Sequence, residues 1–137
     1  MAYTGSGILA VTVSNTEVGT ITLFPKAGES YNIDLGGVRS EDDAANSTAS
    51  GERINKQNIV CSKFELGMVA WDKTVKDELA FVNKLAAAKV GSTVTVKCID
   101  GAIYEMQNAY PVGDLQGDGS AATFPCSFQG NPYASRL

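Results

Sequence analysis

Short β-branched runs and alternating apolar and polar residues, bounded by turn residues, account for most of this 137-residue chain. The run ILAVTVSN, Ile8 to Asn15, lies between Gly5-Ser6-Gly7 and Asn15-Thr16-Glu17 and predicts a strand. A second is predicted over Thr20–Phe24, stopped by Pro25, and a third over Tyr31–Leu35, before Gly36-Gly37. From Gly37 to Gln57 (GVRSEDDAANSTASGERINKQ) the apolar signal disappears, and it returns in a strand over Ile59–Leu66. One helix interrupts the pattern. In WDKTVKDELAFVNKLAAAKV, with Asp72 or Thr74 as N-cap, Val75, Leu79, Val82 and Ala86 fall on one helical face, widened by Phe81 and Leu85. Asp77 and Glu78 sit in its first turns and Lys89 in its last, as the macrodipole favours, and Gly91 is placed for a C′ residue.

The C-terminal third alternates most clearly. Over Thr93–Cys98 the even positions are apolar and the odd ones polar, the pattern of a half-buried strand. Asp100-Gly101 supplies the residues favoured in a two-residue type I′ hairpin, with the return strand over Ile103–Tyr110. After a polar, Gly-rich loop, Thr123–Gln129 puts Phe124, Cys126 and Phe128 on one face; Pro125, on the other, suggests an edge strand. No internal repeat is evident. The elements predict one domain over 1–137, mainly β: an antiparallel β-sandwich or barrel with one flanking α-helix.

Composition narrows the function. Hydrophobic residues make up 44% and charged residues 19%, which places the chain among globular proteins. The apolar runs are shorter than a membrane span, and the first residues lack the basic and apolar regions of a signal peptide, so neither secretion nor stable membrane association is expected. The 11 basic and 15 acidic residues give a net charge of −4, against a protein that grips nucleic acid phosphates. The absence of His removes most general acid/base schemes, most zinc sites and every Ser-His-Asp or Cys-His arrangement, so no enzyme, metal or cofactor is expected. Cys61, Cys98 and Cys126 lack CxxC spacing and are read as reduced thiols. Cys98 and Cys126 point to the core. Cys61, alternating with Lys63 and Glu65, is read as less buried and available for an inter-subunit bridge in an oxidising medium.

Other candidate motifs are weak. Asp114-Leu115-Gln116-Gly117-Asp118-Gly119 lacks the alternating ligands and terminal Glu of a calcium loop, and Glu41-Asp42-Asp43 reads as solvated charge. Asn46-Ser47-Thr48 matches the glycosylation triplet, without weight where no secretory signal stands. Gly5-Ser6-Gly7 and Gly36-Gly37 lack the context of a phosphate loop. The informative anomaly is the stretch 37–57. Structureless connections of this length are uncommon in compact domains and tend to be functional or disordered, so a floppy excursion is the plain alternative. It is read as an arm ordered by another subunit, with Arg53-Ile54-Asn55 able to pair where a partner supplies an edge.

The order and wording of these elements resemble the tail tube proteins of contractile-tailed, Mu-like bacteriophages. An N-terminal strand pair leads to a long polar excursion, a strand and one amphipathic helix. There follow Thr93-Val94-Thr95-Val96, Asp100-Gly101, Tyr104, Asn108-Ala109-Tyr110, Gly117-Asp118-Gly119 and Phe128-Gln129-Gly130. The resemblance spans essentially the whole chain, each motif being short. It implies hexameric rings stacked helically into a tube within the virion, assembled in the bacterial cytoplasm. It also implies a sheath protein outside, a baseplate hub and tail terminator at the ends, and transient passage of double-stranded DNA. Four strands from each of six subunits would join in one lumen barrel. About 24 strands at roughly 4.8 Å spacing and roughly 40° tilt give a diameter of about 48 Å and a lumen of roughly 40 Å, wide enough for a DNA duplex.

On this reading Arg39, Glu41, Asp42, Asp43, Glu52, Arg53 and Lys56 of the arm, with Asn131, Tyr133 and Arg136 of the C-terminal tail, are candidate contacts between subunits or rings. Lys63, Glu65, Lys97, Glu105 and Gln107, on polar strand faces, are candidates for the lumen. Two alternatives stand beside it. One is a tube protein of a type VI secretion system or phage-derived injection particle. The other is a monomeric β-sandwich binding module, which predicts an exposed aromatic platform.

Overall fold

The computed structural model describes residues 3–133. Nine strands and one helix follow in the order β1 (Ile8–Asn15), β2 (Gly19–Leu23), β3 (Asn32–Asp34), β4 (Gly37–Ser40), β5 (Gln57–Val60), β6 (Ser62–Ala70), α1 (Glu78–Ala87), β7 (Ser92–Cys98), β8 (Ile103–Pro111) and β9 (Thr123–Gly130). Seven strands form one antiparallel sheet in the order β2-β1-β7-β8-β9-β6-β3, and β4 and β5 form a separate pair. The large sheet folds across β8. Ile103 to Ala109 pair with β7, whereas Tyr110 and Pro111 pair with β9. An extra residue near Asn108 (φ 52) marks the fold line, a bulge that bends its strand.

The folded sheet closes. Beyond β2 the chain runs along β6, where Ala70 N–H donates to Phe24 O and Lys26 N–H to Met68 O, both at 2.8 Å. Closure removes most exposed edges and encloses one core. Alternation supplies it: Val11 and Val13 from β1, Val94 and Val96 from β7, Phe64 and Leu66 from β6, and Phe124, Cys126 and Phe128 from β9 are all buried. Each of the larger side chains contributes about 1.5–3 kcal/mol by leaving water. Val82 and Leu85 of α1 complete the cluster.

Several expectations are corrected. The helix begins at Glu78, capped by Asp77, and not near residue 72 or 74. The Asp72 carboxylate instead accepts N–H bonds from Thr74 and Val75, a turn that competes with the first helical turns. Val75 is therefore 83% exposed, and the buried face is Glu78, Val82 and Leu85. Ala86, assigned to the apolar face, is exposed. The helix ends at Ala87 with Lys84 in its last turn, while Lys89 N–H donates to Glu17 Oε2. Gly91 is no left-handed cap: its missing Cβ admits Asn108, whose Oδ1 would stand 2.4 Å from one.

The hairpin between β7 and β8 is not a two-residue type I′ turn. Gly101 N–H donates to Cys98 O, Cys98 N–H donates to Ala102 O, and only Gly101 (φ 94) of the loop is left-handed. That is a three-residue loop with a glycine bulge. The strand predicted over Ile59–Leu66 breaks at Cys61 and then runs on to Ala70. Gly67 (φ 70) bulges it where a Cβ would lie 2.8 Å from Ser30 O. Pro125 is not on an edge strand, since β9 lies between β8 and β6. It is accommodated because β8 pairs only with Phe128 and Gln129, leaving no ladder bond to lose on that side.

Candidate self-assembly surfaces

The segment 37–57 is not a structureless loop. Strands β3 and β6 pair as Asn32↔Glu65 through Asp34↔Lys63, and β4 and β5 continue the same register from Gly37↔Val60 to Ser40↔Gln57. Glu41 N–H still bonds Lys56 O at 2.7 Å. The two pairs are thus one long hairpin rooted in the barrel. Gly36 (φ 69) kinks it at the root; a Cβ there would fall 2.6 Å from Val60 O. Beyond Glu41 the first strand loops out through Asp42 and Asp43. Pairing then resumes with Ile54 N–H to Asn46 O and Thr48 N–H to Glu52 O, both 2.8 Å.

The charges expected to meet other subunits tie this ribbon together. Arg39 Nη2 lies 2.6 Å from Asp34 Oδ1, and Arg39 Nη1 donates to Gly36 O at 2.9 Å. Lys56 Nζ lies 3.4 Å from Glu41 Oε2, and Arg53 Nη2 donates to Glu41 O at 3.0 Å. Asp43 Oδ1 accepts the Ala45 N–H, and the Glu52 N–H donates to Thr48 Oγ1. Asp42, Asp43 and Glu52 remain exposed. The tail straps the root of the ribbon. Asn131 N–H donates to Gln107 O, Ser62 Oγ donates to Asn131 O at 2.6 Å, and Tyr133 N–H donates to Leu35 O. Arg136 lies outside the described residues.

What the ribbon exposes was missed in the sequence, because its apolar residues are diluted among polar ones. Val38 and Ile59 stand directly opposite each other and are 57% and 75% exposed. Ile54 and Val60 are also exposed. A two-stranded ribbon is marginal in water by itself, and every β5 residue faces solvent.

The five lumen candidates divide between opposite faces of the barrel. On the β3-β6-β9 face, Asn32, Glu65 and Ser127 stand in one cross-strand row and Asp34, Lys63 and Gln129 in the next. Lys63 Nζ lies 3.1 Å from Glu65 Oε1, and this bond and charge hold the Glu65 carboxyl below its usual value. On the β2-β1-β7-β8 face the row is Thr22, Thr12, Thr95 and Glu105. Lys97 lies in the next row with Ala10 and Ile103, and Gln107 Nε2 donates to Glu105 Oε1 at 3.4 Å. One wall takes either the first pair or the last three.

Other polar side chains, two of them lining concave sites, are held by structural contacts. Tyr31 reaches into one barrel mouth, its Oη 3.5 Å from Cys98 Sγ. That hydrogen bond, with burial, pushes the Tyr31 phenol up to about 12. Trp71 Nε1 donates to Asp77 Oδ1 at 2.9 Å, and Asp118 Oδ1 accepts the Ser120 and Ala121 N–H groups. Cys61 is exposed, whereas Cys98 and Cys126 are buried. Among the described residues no helix is long and apolar enough to cross a membrane. Comparison with protein-family models, curated proteins and solved structures finds no match to this chain.

Proposed function

We propose that this chain is a structural virion protein whose hexameric rings stack into a phage tail tube, the conduit for DNA. The observation that carries the reading is the hairpin arm. It leaves a closed barrel in unbroken register, is strapped at its root by Asn131 and Tyr133, and carries exposed apolar residues, Val38, Ile59 and Val60 near the root and Ile54 further out. An isolated ribbon of this kind gains nothing by being exposed; a neighbouring subunit gives it a surface to cover.

The electrostatics agree. Polyphosphate passes a wall freely when the wall offers no array of cations from which to release counterions. On one face Lys63 is paired with Glu65, and on the other Lys97 stands near hydroxyls and Glu105. The binding-module alternative needs an aromatic platform, but the only Trp, Trp71, is half-buried with its indole N–H bonded to Asp77. Sheath, hub and terminator proteins are the partners this role requires.

Negative-stain electron microscopy of the purified chain across a concentration series tests the reading. Open-centred rings or stacked tubes are expected. Monomers throughout, including in the presence of preformed tube fragments as seeds, would overturn it.

A further inference from the structure

At the end of the barrel where β1, β3 and β8 begin and β7 ends lies a cavity of about 580 Å³. Its wall comes from three stretches: the residues before β1, those before β3, and the β7-β8 hairpin. They are tied together, Ile99 N–H donating to Gly7 O at 3.0 Å and Asp100 N–H to Ser6 Oγ at 3.4 Å. Tyr31 and Tyr104, both half-buried, line the cavity. Ligand pockets occupy about 300–1,000 Å³ and favour the mouths of β-barrels.

The charge of this lining is one-sided. Glu29 and Asp100 are its only charged residues, and among the described residues neither is in a salt bridge. Lys26 lines the neighbouring hollow and not this one. Lys97 points outward, by the same parity that buries Cys98. The Tyr31 phenol is pushed up to about 12 by its bond to Cys98, by burial and by the Asp100 charge nearby. A guest that fills the cavity takes both carboxylates partly out of water. A neutral or anionic guest leaves that cost standing, whereas a cation offsets it, and phenol rings attract the same sign of charge. A bare metal ion does not fit: among the described residues no three His, Cys, Asp or Glu stand together to ligate one.

We infer that this cavity binds a small organic ammonium ion, such as an alkyl diamine, between Glu29 and Asp100 and against Tyr31 and Tyr104. Such a site needs no second copy of the chain and goes beyond the tube role.

The test is calorimetry with 1,4-diaminobutane, with NMR to follow the tyrosine rings. One site per chain is expected, with shifts at Tyr31 and Tyr104. 1,4-Butanediol, of the same length without charge, should not compete. Glu29→Gln combined with Asp100→Ser should weaken binding about tenfold, as two partly exposed ion pairs are lost. The serine hydroxyl can still accept the Ala102 N–H that Asp100 Oδ1 now accepts. Asn is avoided there because Asn-Gly deamidates back to a carboxylate. If melts show the hairpin disturbed, Glu29→Gln alone, at an exposed position, should still weaken binding about threefold.

The control is Asp42→Asn with Glu52→Gln, which removes two exposed charges from the arm and should leave binding unchanged. Equal weakening by both pairs would overturn the site, since it would mean only a dication drawn to an acidic chain. Absence of heat and ring shifts at millimolar diamine would overturn it too, as would butanediol that competes equally. The titration is read on the chain whether or not rings form, so failure of the tube reading is seen separately, by microscopy.

Discussion

Cys126 shows how parity along a strand becomes chemistry. It alternates with Phe124 and Phe128, so it points into the barrel, and burial pushes its thiol up from 9.0 to about 12. Tyr31 is raised from 10.0 to about 12 by its bond to Cys98 and by burial. Both groups are neutral acids that the unfolded chain releases first. Their contribution is complete below about pH 9 and declines as pH rises towards 12. For Cys126 the decline amounts to as much as about 4 kcal/mol across the window. Urea unfolding between pH 8 and 11 should show stability falling, with a shallower slope in Cys126→Ala. Phe128, fully buried between the sheet halves, is expected to cost about 3–5 kcal/mol as Phe128→Ala; a loss below 1 kcal/mol in the same assay would contradict its place in the core.

The arm behaves as an element in its own right. Its ladder is continuous with β3 and β6, yet its outer part buries little. Joining Arg39 to Asn58, which stand opposite each other, through Asn-Gly should therefore leave a folded barrel within about 2 kcal/mol of the parent, a hairpin turn replacing exposed chain. The same variant should form no tubes; tubes of normal length by microscopy would refute the arm's role. The start of α1 depends on a single side chain. Asp77 adopts φ 48, its Oδ1 accepting from Trp71 Nε1 and the Ala80 N–H. Asp77→Ala loses both bonds and is expected to cost about 1–2 kcal/mol in thermal or urea unfolding.

For the whole molecule, closure of the barrel decides what is reachable. Of the three thiols, Cys61 lies at the arm root and is exposed, and the other two are inside. A chromogenic disulfide reagent should titrate one thiol per chain in buffer and three in denaturant. The tube reading puts the arm root beneath a neighbour, so on that proposal the Cys61 rate should fall in assembled protein. Equal rates before and after assembly would mean that the root stays open. Non-reducing gels on the same samples ask separately whether Cys61 bridges subunits after oxidation.

Local pattern determined most of the elements. Strands β1, β2, β7, β8 and β9 stand within two residues of the positions that alternation predicts, because a half-buried strand writes its burial into every second residue. The buried Cys98 and Cys126 follow from the same parity. What needed the tertiary structure were features with no period. Gly36 and Gly67 stand just beyond predicted strands, yet one kinks a ladder and the other bulges it, since a backbone neighbour packs where a Cβ would be. The arm read as a loop because a ribbon that buries neither face needs no alternating residues. Its pairing is held by register inherited from β3 and β6, and register is a property of two strands together. For the same reason the polar faces were legible as polar, but only the fold across β8 separated Lys63 and Glu65 from Lys97, Glu105 and Gln107.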